Sequence, residues 1–295
     1  MLVVAAACAA LIAWYYLWLL PGPILTPRPI VSIEKGDSFR SIASRLKKAG
    51  VVRSSTLLLT YAEISGTARR IKPGEYEFNG GERIPDVMRH LVKGDTIATT
   101  VTIPEGLTLH DIAQRLGGAG LVCPPDFSRA AREGPVVRAL GLGPLGAEGF
   151  LFPATYKFPP KANNEQIQVT MLSRFYQVIT PQAQQQMYAM GLSERELVTL
   201  ASIIEKEARV AGERRMVASV FYNRLKLGMP LQSDPTAEYS FEGESEPAAA
   251  AVRIPSTFNT YAFAGLPPGP IANPGLPSIE AALYPAHTDF LYFVA

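Results

Sequence analysis

The chain has 295 residues, 47% of them hydrophobic, which is enough for a substantial core and more than one domain and excludes a disordered chain. Lysine plus arginine (28) nearly balances aspartate plus glutamate (26), so no strong overall field marks nucleic acid or an acidic surface as a partner.

The first element is the uncharged run LVVAAACAALIAWYYLWLL, Leu2 to Leu20. It approaches the roughly 20 residues a helix needs to cross a bilayer. Trp14, Tyr15, Tyr16 and Trp18 gather towards its C-terminal end, where amphipathic rings favour the membrane interface. Residues 1–20 therefore read as a single-pass transmembrane anchor. A cleaved signal peptide fits less well, because the run is long and no basic residue precedes it. Residues 21–30 follow as a proline-rich connector, PGPILTPRP carrying four prolines in nine positions.

The chain then repeats itself. VSIEKGDSFRSIASRLKKAGVV, Val31 to Val52, aligns without gaps on VTIPEGLTLHDIAQRLGGAGLV, Val101 to Val122, an internal duplication. Each copy predicts a short alternating strand, a glycine turn and an amphipathic helix, with Phe39, Ile42, Ala43 and Leu46 facing the core in the first and Leu109, Ile112, Ala113 and Leu116 in the second. Between them, Ile84, Val87, Met88 and Leu91 form a further helical stripe. Residues 31–98 are thus small α+β units. Their pattern resembles LysM-type modules that bind the amino-sugar glycans of cell walls, and a spacer with no ligand fits the topology equally well.

The second half changes character. Ser193 and Glu196 form a capping box that opens a helix through LVTLASIIEKEARV. ERRMVASVFYNRLKLG predicts another helix, with Val217, Val220, Phe221 and Leu225 on one face and Gly228 as its stop. From Gln232 onward the composition turns to Pro, Gly, Ser and aromatics, suited to structured loops beside a cleft. Cys8 and Cys123 give no disulfide framework, and the scattered His90, His110 and His287 form no metal-ligand pair. No cofactor is expected.

LASIIEKEA, Leu200 to Ala208, places two glutamates in an apolar stretch. At 3.6 residues per turn, Glu205 and Glu207 point to nearly opposite sides, so one site holds only one of them. Glu205 has small neighbours, Ala201, Ser202 and Ala208, which would leave room for a sugar ring, whereas Glu207 is crowded by Ile203 and Ile204. Apolar surroundings disfavour a charged carboxyl, as a general acid at neutral pH requires. The competing reading pairs Glu205 with Arg209 as a helix-surface salt bridge. Glu207 reads as the partner of a basic group on the other side.

Taken together, LASIIEKEA, VASVFYNRLKLGMPLQSDPT, FNTYAFAGLPPGPIANPG, the closing FLYFVA and EGFLFPATY at Glu148 to Tyr156 resemble the YceG-like endolytic murein transglycosylases. The resemblance implies an N-terminal transmembrane helix, LysM-like modules, and a mixed α+β catalytic domain over residues 99–295 that takes in the repeat at 101–122. It implies that Glu205, the first glutamate of the segment, is the catalytic acid/base. Gln232, Asp234, Thr236, Tyr239, Asn259, Tyr261 and Glu148 are the expected substrate-binding residues, Gln232 and Tyr261 more readily than Asp234. Ala154 stands where the family often has an acidic residue, and family members usually continue beyond FLYFVA.

The substrate so implied is peptidoglycan glycan strands, met outside the cytoplasmic membrane, with penicillin-binding synthases as expected partners. A glycosidase ordinarily flanks the scissile bond with two carboxylates. A lytic transglycosylase manages with one, because the C6 hydroxyl of N-acetylmuramic acid is the nucleophile and a 1,6-anhydro end results. The competing functions are a membrane-tethered glycan-binding scaffold without catalysis, and a muramidase that hydrolyses with water.

Overall fold

A computed structural model describes residues 18–23, 27–143, 145–239 and 251–293. The chain divides into two compact units, one up to Thr99 and one from Thr100. Most of the apolar run Leu2 to Leu20 lies outside the described residues. Among the described residues no helix is long and apolar enough to cross a membrane.

The first unit runs β1 (Ile30–Ile33), α1 (Phe39–Lys48), α2 (Ser55–Ile64), a 3-10 turn (Ala68–Arg70), β2 (Gly74–Glu77) and α3 (Ile84–Lys93). β1 and β2 pair antiparallel with Val31 opposite Tyr76, so the period-two alternation of β1 turns Val31 and Ile33 inward. They meet Ile42, Leu46, Leu58, Tyr76, Val87 and Leu91 in one core. The stripe at Ile84, Val87, Met88 and Leu91 is buried as the helical spacing predicts.

The second unit runs β3 (Thr99–Ile103), α4 (Leu109–Gly118), α5 (Pro124–Glu133), α6 (Pro135–Ala139), β4 (Ala154–Phe158), α7 (Asn164–Val178), α8 (Pro181–Ala189), α9 (Glu194–Glu207), α10 (Arg214–Lys226), α11 (Asp234–Glu238) and α12 (Leu276–Leu283). β3 pairs with β4. The result is mixed α+β with more helix than strand.

The two repeats fold alike locally. In both, a strand leads to a positive-φ glycine, Gly36 (φ 98°) or Gly106 (φ 77°), that a side chain would strain. A hydroxyl then caps the helix: Ser38 accepts from Ser41 N–H, and Thr108 from Asp111 N–H, with Asp111 closing a capping box in the second copy only.

α9 is the axis of the second unit. Ser193 Oγ accepts from Glu196 N–H at 3.2 Å and Glu196 Oε2 accepts from Ser193 N–H at 2.8 Å, closing the predicted box. From Leu197 to Ile204 every residue is buried, because α10, α11 and α12 all pack on this helix. Each leucine or isoleucine so buried contributes roughly 1.5–3 kcal/mol. Only the last turn emerges, and Ala208 leaves it with extended backbone. Both glutamates of interest sit on that turn.

Candidate active site

Glu205 and Glu207 open on different surroundings, as two positions about 200° apart on a helix must. Glu205 accepts a hydrogen bond from Arg214 Nη2 at 3.2 Å and another from Gly275 N–H at 3.0 Å, and its side chain keeps only 7% of its exposure. Arg214, the first residue of α10, also donates from Nε to Ser278 Oγ on α12 at 3.0 Å. The pair thus joins the end of α9 to the starts of α10 and α12. The arginine partner is Arg214 from the next helix, not Arg209 one turn along.

The small neighbours of Glu205 are occupied by protein. Ala201 and Ser202 are fully buried, and Ser202 Oγ accepts from Ile271 N–H at 3.1 Å. They let the 271–275 segment and α12 approach the helix. The Glu105–Gly106 turn of the second repeat packs beside it: a methyl added at Gly106 would touch Glu205 Cγ at 3.6 Å, and a side chain at Gly275 would strike the Glu105 carboxyl. Burial, then the like charge of Glu205, pushes the Glu105 carboxyl up.

Glu207 faces the other way, into a cleft of about 430 Å³ whose lining includes Arg209, Gln232, Asp234, Glu238 and Tyr261. Ser233 Oγ donates to its Oε1 at 2.6 Å. Burial is the main force pushing its carboxyl up, with the Ser233 hydrogen bond opposing and the charges of Asp234 and Glu238 adding to the rise. Its place as the last residue of α9 acts in the same direction, since the negative end of the helix dipole disfavours a carboxylate. The basic partner expected for Glu207 is replaced by a hydroxyl, and Arg209 is the weakest of the charges acting on it.

The loop opposite Glu207 is held in a costly conformation. Gln232 has φ 51°, the one positive-φ residue other than glycine among the described residues. Such a conformation costs of order 1–3 kcal/mol and persists only where its surroundings fix it. Gln232 N–H donates to Thr260 O at 3.1 Å, while Arg224 Nη1 reaches Leu231 O at 2.8 Å and Gln232 Oε1 at 3.3 Å. Arg224 is itself buried, donates from Nε to Leu291 O at 2.7 Å and lies 5.0 Å from the Tyr292 ring centroid. Beside Gln232, Tyr261 OH donates to Asp234 Oδ1 at 2.7 Å.

Of the expected substrate-binding residues, Gln232, Asp234 and Tyr261 line the cleft together. Thr236, Tyr239, Asn259 and Glu148 are buried with protein partners. Thr236 Oγ1 bonds Ser233 O at 2.6 Å and Thr260 Oγ1 at 2.7 Å, fixing the turn that carries Ser233. Asn259 Nδ2 donates to Ile254 O at 2.8 Å while its Oδ1 accepts from Tyr261 N–H at 2.9 Å.

Glu148 sits at the centre of a buried network. Leu109 N–H donates to both its oxygens at 3.0 Å, Asn273 Nδ2 to one at 3.0 Å and Tyr239 OH to the other at 3.1 Å. Burial pushes its carboxyl up to about 7 against those donors. It ties the N-terminus of α4 to the same 273–275 segment that serves Glu205. Ser233, Arg214 and Glu105 were not expected at a site, because their partners lie on other elements; of these only Ser233 carried a local signal, as the neighbour of Gln232 and Asp234. Among the described residues no group of His, Cys, Asp and Glu side chains could hold a metal ion.

The sequence profile of the YceG-like family matches residues 31–295. The chain belongs to the YceG-like family. This YceG-like chain is 36% identical over 284 residues to the endolytic murein transglycosylase of Bacillus subtilis (strain 168), a match covering 90% of this chain and 78% of that one. It is 33% identical over 298 residues to the endolytic murein transglycosylase of Streptococcus pneumoniae serotype 2 (strain D39), covering 90% of this chain but 54% of the relative. The chain therefore spans about half the length of the streptococcal protein. A crystal structure of a YceG-like protein from Listeria monocytogenes shares the fold with a TM-score of 0.62 at 32% identity, covering 92% of this chain and 94% of that one.

Proposed function

We propose that the chain is a lytic transglycosylase of peptidoglycan, and that Glu207 rather than Glu205 is its acid/base. The names of its relatives support the reaction. The observation that carries the assignment is the cleft: Glu207 shares it with Gln232, Asp234 and Tyr261, whereas Glu205 is spent on Arg214 and Gly275.

In this reading Glu207 acts first as the acid, a role that burial, flanking carboxylates and the helix C-terminus support by shifting its carboxyl towards the neutral form. Ser233 occupies Oε1, so the proton rides on Oε2. Oε2 delivers it to the bridging oxygen as the C1–O bond of the N-acetylmuramic acid breaks. The oxocarbenium character that develops at C1 is stabilised by the Asp234 carboxylate, which Tyr261 orients. The Glu207 carboxylate then takes the proton of the same sugar's C6 hydroxyl as that oxygen closes on C1. One C–O bond is exchanged for another, the acid is regenerated and no water is consumed. Gln232, fixed by Arg224, supplies an amide for the N-acetyl or hydroxyl groups of the strand.

A hydrolytic muramidase is the second reading, and Asp234 is the observation that favours it, as a second carboxylate in the cleft that could activate water. Incubating purified glycan strands with the protein and weighing the released ends by mass spectrometry tests both. Ends lighter by one water support the transglycosylase; plain reducing ends support hydrolysis. No release of ends at all would support the non-catalytic scaffold.

The first unit is proposed to hold the strand as a LysM-like module. Residues 1–20 are proposed to anchor the chain at the outer face of the cytoplasmic membrane, where strands emerge from synthases of the penicillin-binding type. Leu2 to Leu20 supports the anchor by its length and lack of charge.

A further inference from the structure

Within the second unit but outside the cleft, α4, α5, α6 and the loop that follows line a half-open cavity of about 950 Å³. Its lining is cationic. Arg129, Arg132 and Arg138 converge on it with His110, against Glu133 as the single carboxylate among the described lining residues. The overall charge of the chain, +2 in 295 residues, gives no reason for three arginines to gather here.

The charges are only partly used by the protein. Arg129 pairs with Asp126 at 2.6 Å, both exposed, and Arg138 donates to Glu133 O. Arg132 acts on the buried Glu148 and Tyr239 behind the wall. Each guanidinium offers five N–H donors in a planar fork, so Arg129 and Arg138 keep donors for a ligand. A cavity of this size lies in the range that holds small ligands. Gln114 adds an amide and Pro124, Pro125 and Val137 an apolar wall. Guanidinium forks match carboxylates, while an amide with apolar walls suits peptide bonds and short side chains.

We propose that this cavity is a subsite for the carboxylate-bearing peptide carried by the glycan strand. The proposal rests on the reading of peptidoglycan as substrate. Cleft and cavity are braced by one network. α4, which brings His110 and Gln114 to the cavity, begins at Leu109, whose N–H binds Glu148, and Glu148 is bonded in turn to Asn273 of the segment that supports the end of α9.

The test uses the full chain carrying Glu207→Gln, so that strands stay intact, and compares its affinity for strands with peptides and for strands stripped of them by an amidase. Peptide-bearing strands are expected to bind about tenfold more tightly at low salt, with the difference shrinking as salt rises. Arg129→Gln combined with Arg138→Gln is expected to erase the difference, both side chains being exposed and the circular dichroism spectrum unchanged. Amidating the peptide carboxylates, which leaves the protein untouched, is expected to erase it too. Equal affinity of the chain for the two kinds of strand, or a preference that survives amidation, overturns the proposal. Cleavage of stripped strands by the chain with Glu207 intact reports separately on whether the substrate and reaction are right, whatever the peptide contributes.

Discussion

The two sides of the last turn of α9 use the same residue type for opposite ends. On one side Glu205 is closed in by Arg214, Gly275 and the Glu105–Gly106 turn, so its charge is compensated within the protein. On the other, Glu207 bonds a hydroxyl in an open cleft that it shares with Asp234, Glu238 and Arg209, and burial outweighs the weak pull of Arg209. A paired carboxylate holds elements together. One raised by its surroundings is shifted towards its neutral form, which is what the proposed acid needs.

The largest effect is expected from removing the cation that compensates Glu205. Arg214→Ala leaves Glu205 shielded and without its cation, which is expected to cost about 3 kcal/mol because a lone buried charge is left behind. Urea unfolding measures it, and a loss under about 0.5 kcal/mol would mean that the tied side holds nothing.

The same side reaches Glu148 through Asn273, and there pH is the probe. With its carboxyl raised from 4.5 to about 7, folded protein keeps a proton that the unfolded chain has shed between those values. The stabilisation is full below about 4.5 and is lost as pH rises through about 7, a change of order 3 kcal/mol. Stability followed by urea unfolding from pH 5 to 8 is expected to fall in the wild type and to flatten in Glu148→Gln.

On the open side, Ser233→Ala removes the hydrogen bond that favours the Glu207 carboxylate. Its carboxyl rises further, so the alkaline limb of the kcat/KM profile moves to higher pH, with a rate loss of about tenfold from the less oriented acid. A profile that stays in place would separate Ser233 from the chemistry. The smallest effect is expected from Gly275→Ala. The new methyl meets the carboxyl and Cγ of Glu105, an exposed side chain that can rotate aside, and φ at this position is ordinary (−78°). Thermal melting should shift by only a few degrees, with turnover unchanged.

Much of the scaffold was legible in the sequence because its signals are local. The Ser193–Glu196 box and the stripes at Ile84 to Leu91 and Val217 to Leu225 each link neighbours three or four residues apart, the range over which capping and helical periodicity act, and the duplication shows as a gapless match of one stretch of sequence on another. The site was less legible, because its partners come from elsewhere in the chain. Small residues beside Glu205 read as space for a sugar, yet smallness there admits another segment of protein, and only Ile271 on Ser202 Oγ reveals which. Ile203 and Ile204 read as crowding Glu207, but both turn inward and leave its carboxyl at the cleft. Thr236, Tyr239 and Asn259 have the chemistry of sugar binders and use it on the loops themselves. Arg224, on a predicted helix face, turns out to fix the strained Gln232.

The assignment of the acid is tested most directly by measuring turnover of purified glycan strands by Glu207→Gln and Glu205→Gln side by side, each corrected for its folded fraction. Glu207→Gln is expected to lose about 10²–10⁴ in turnover with its unfolding midpoint kept, and Glu205→Gln to show a lowered midpoint with turnover within about tenfold of wild type. Turnover abolished in a fully folded Glu205→Gln and retained in Glu207→Gln would contradict the assignment.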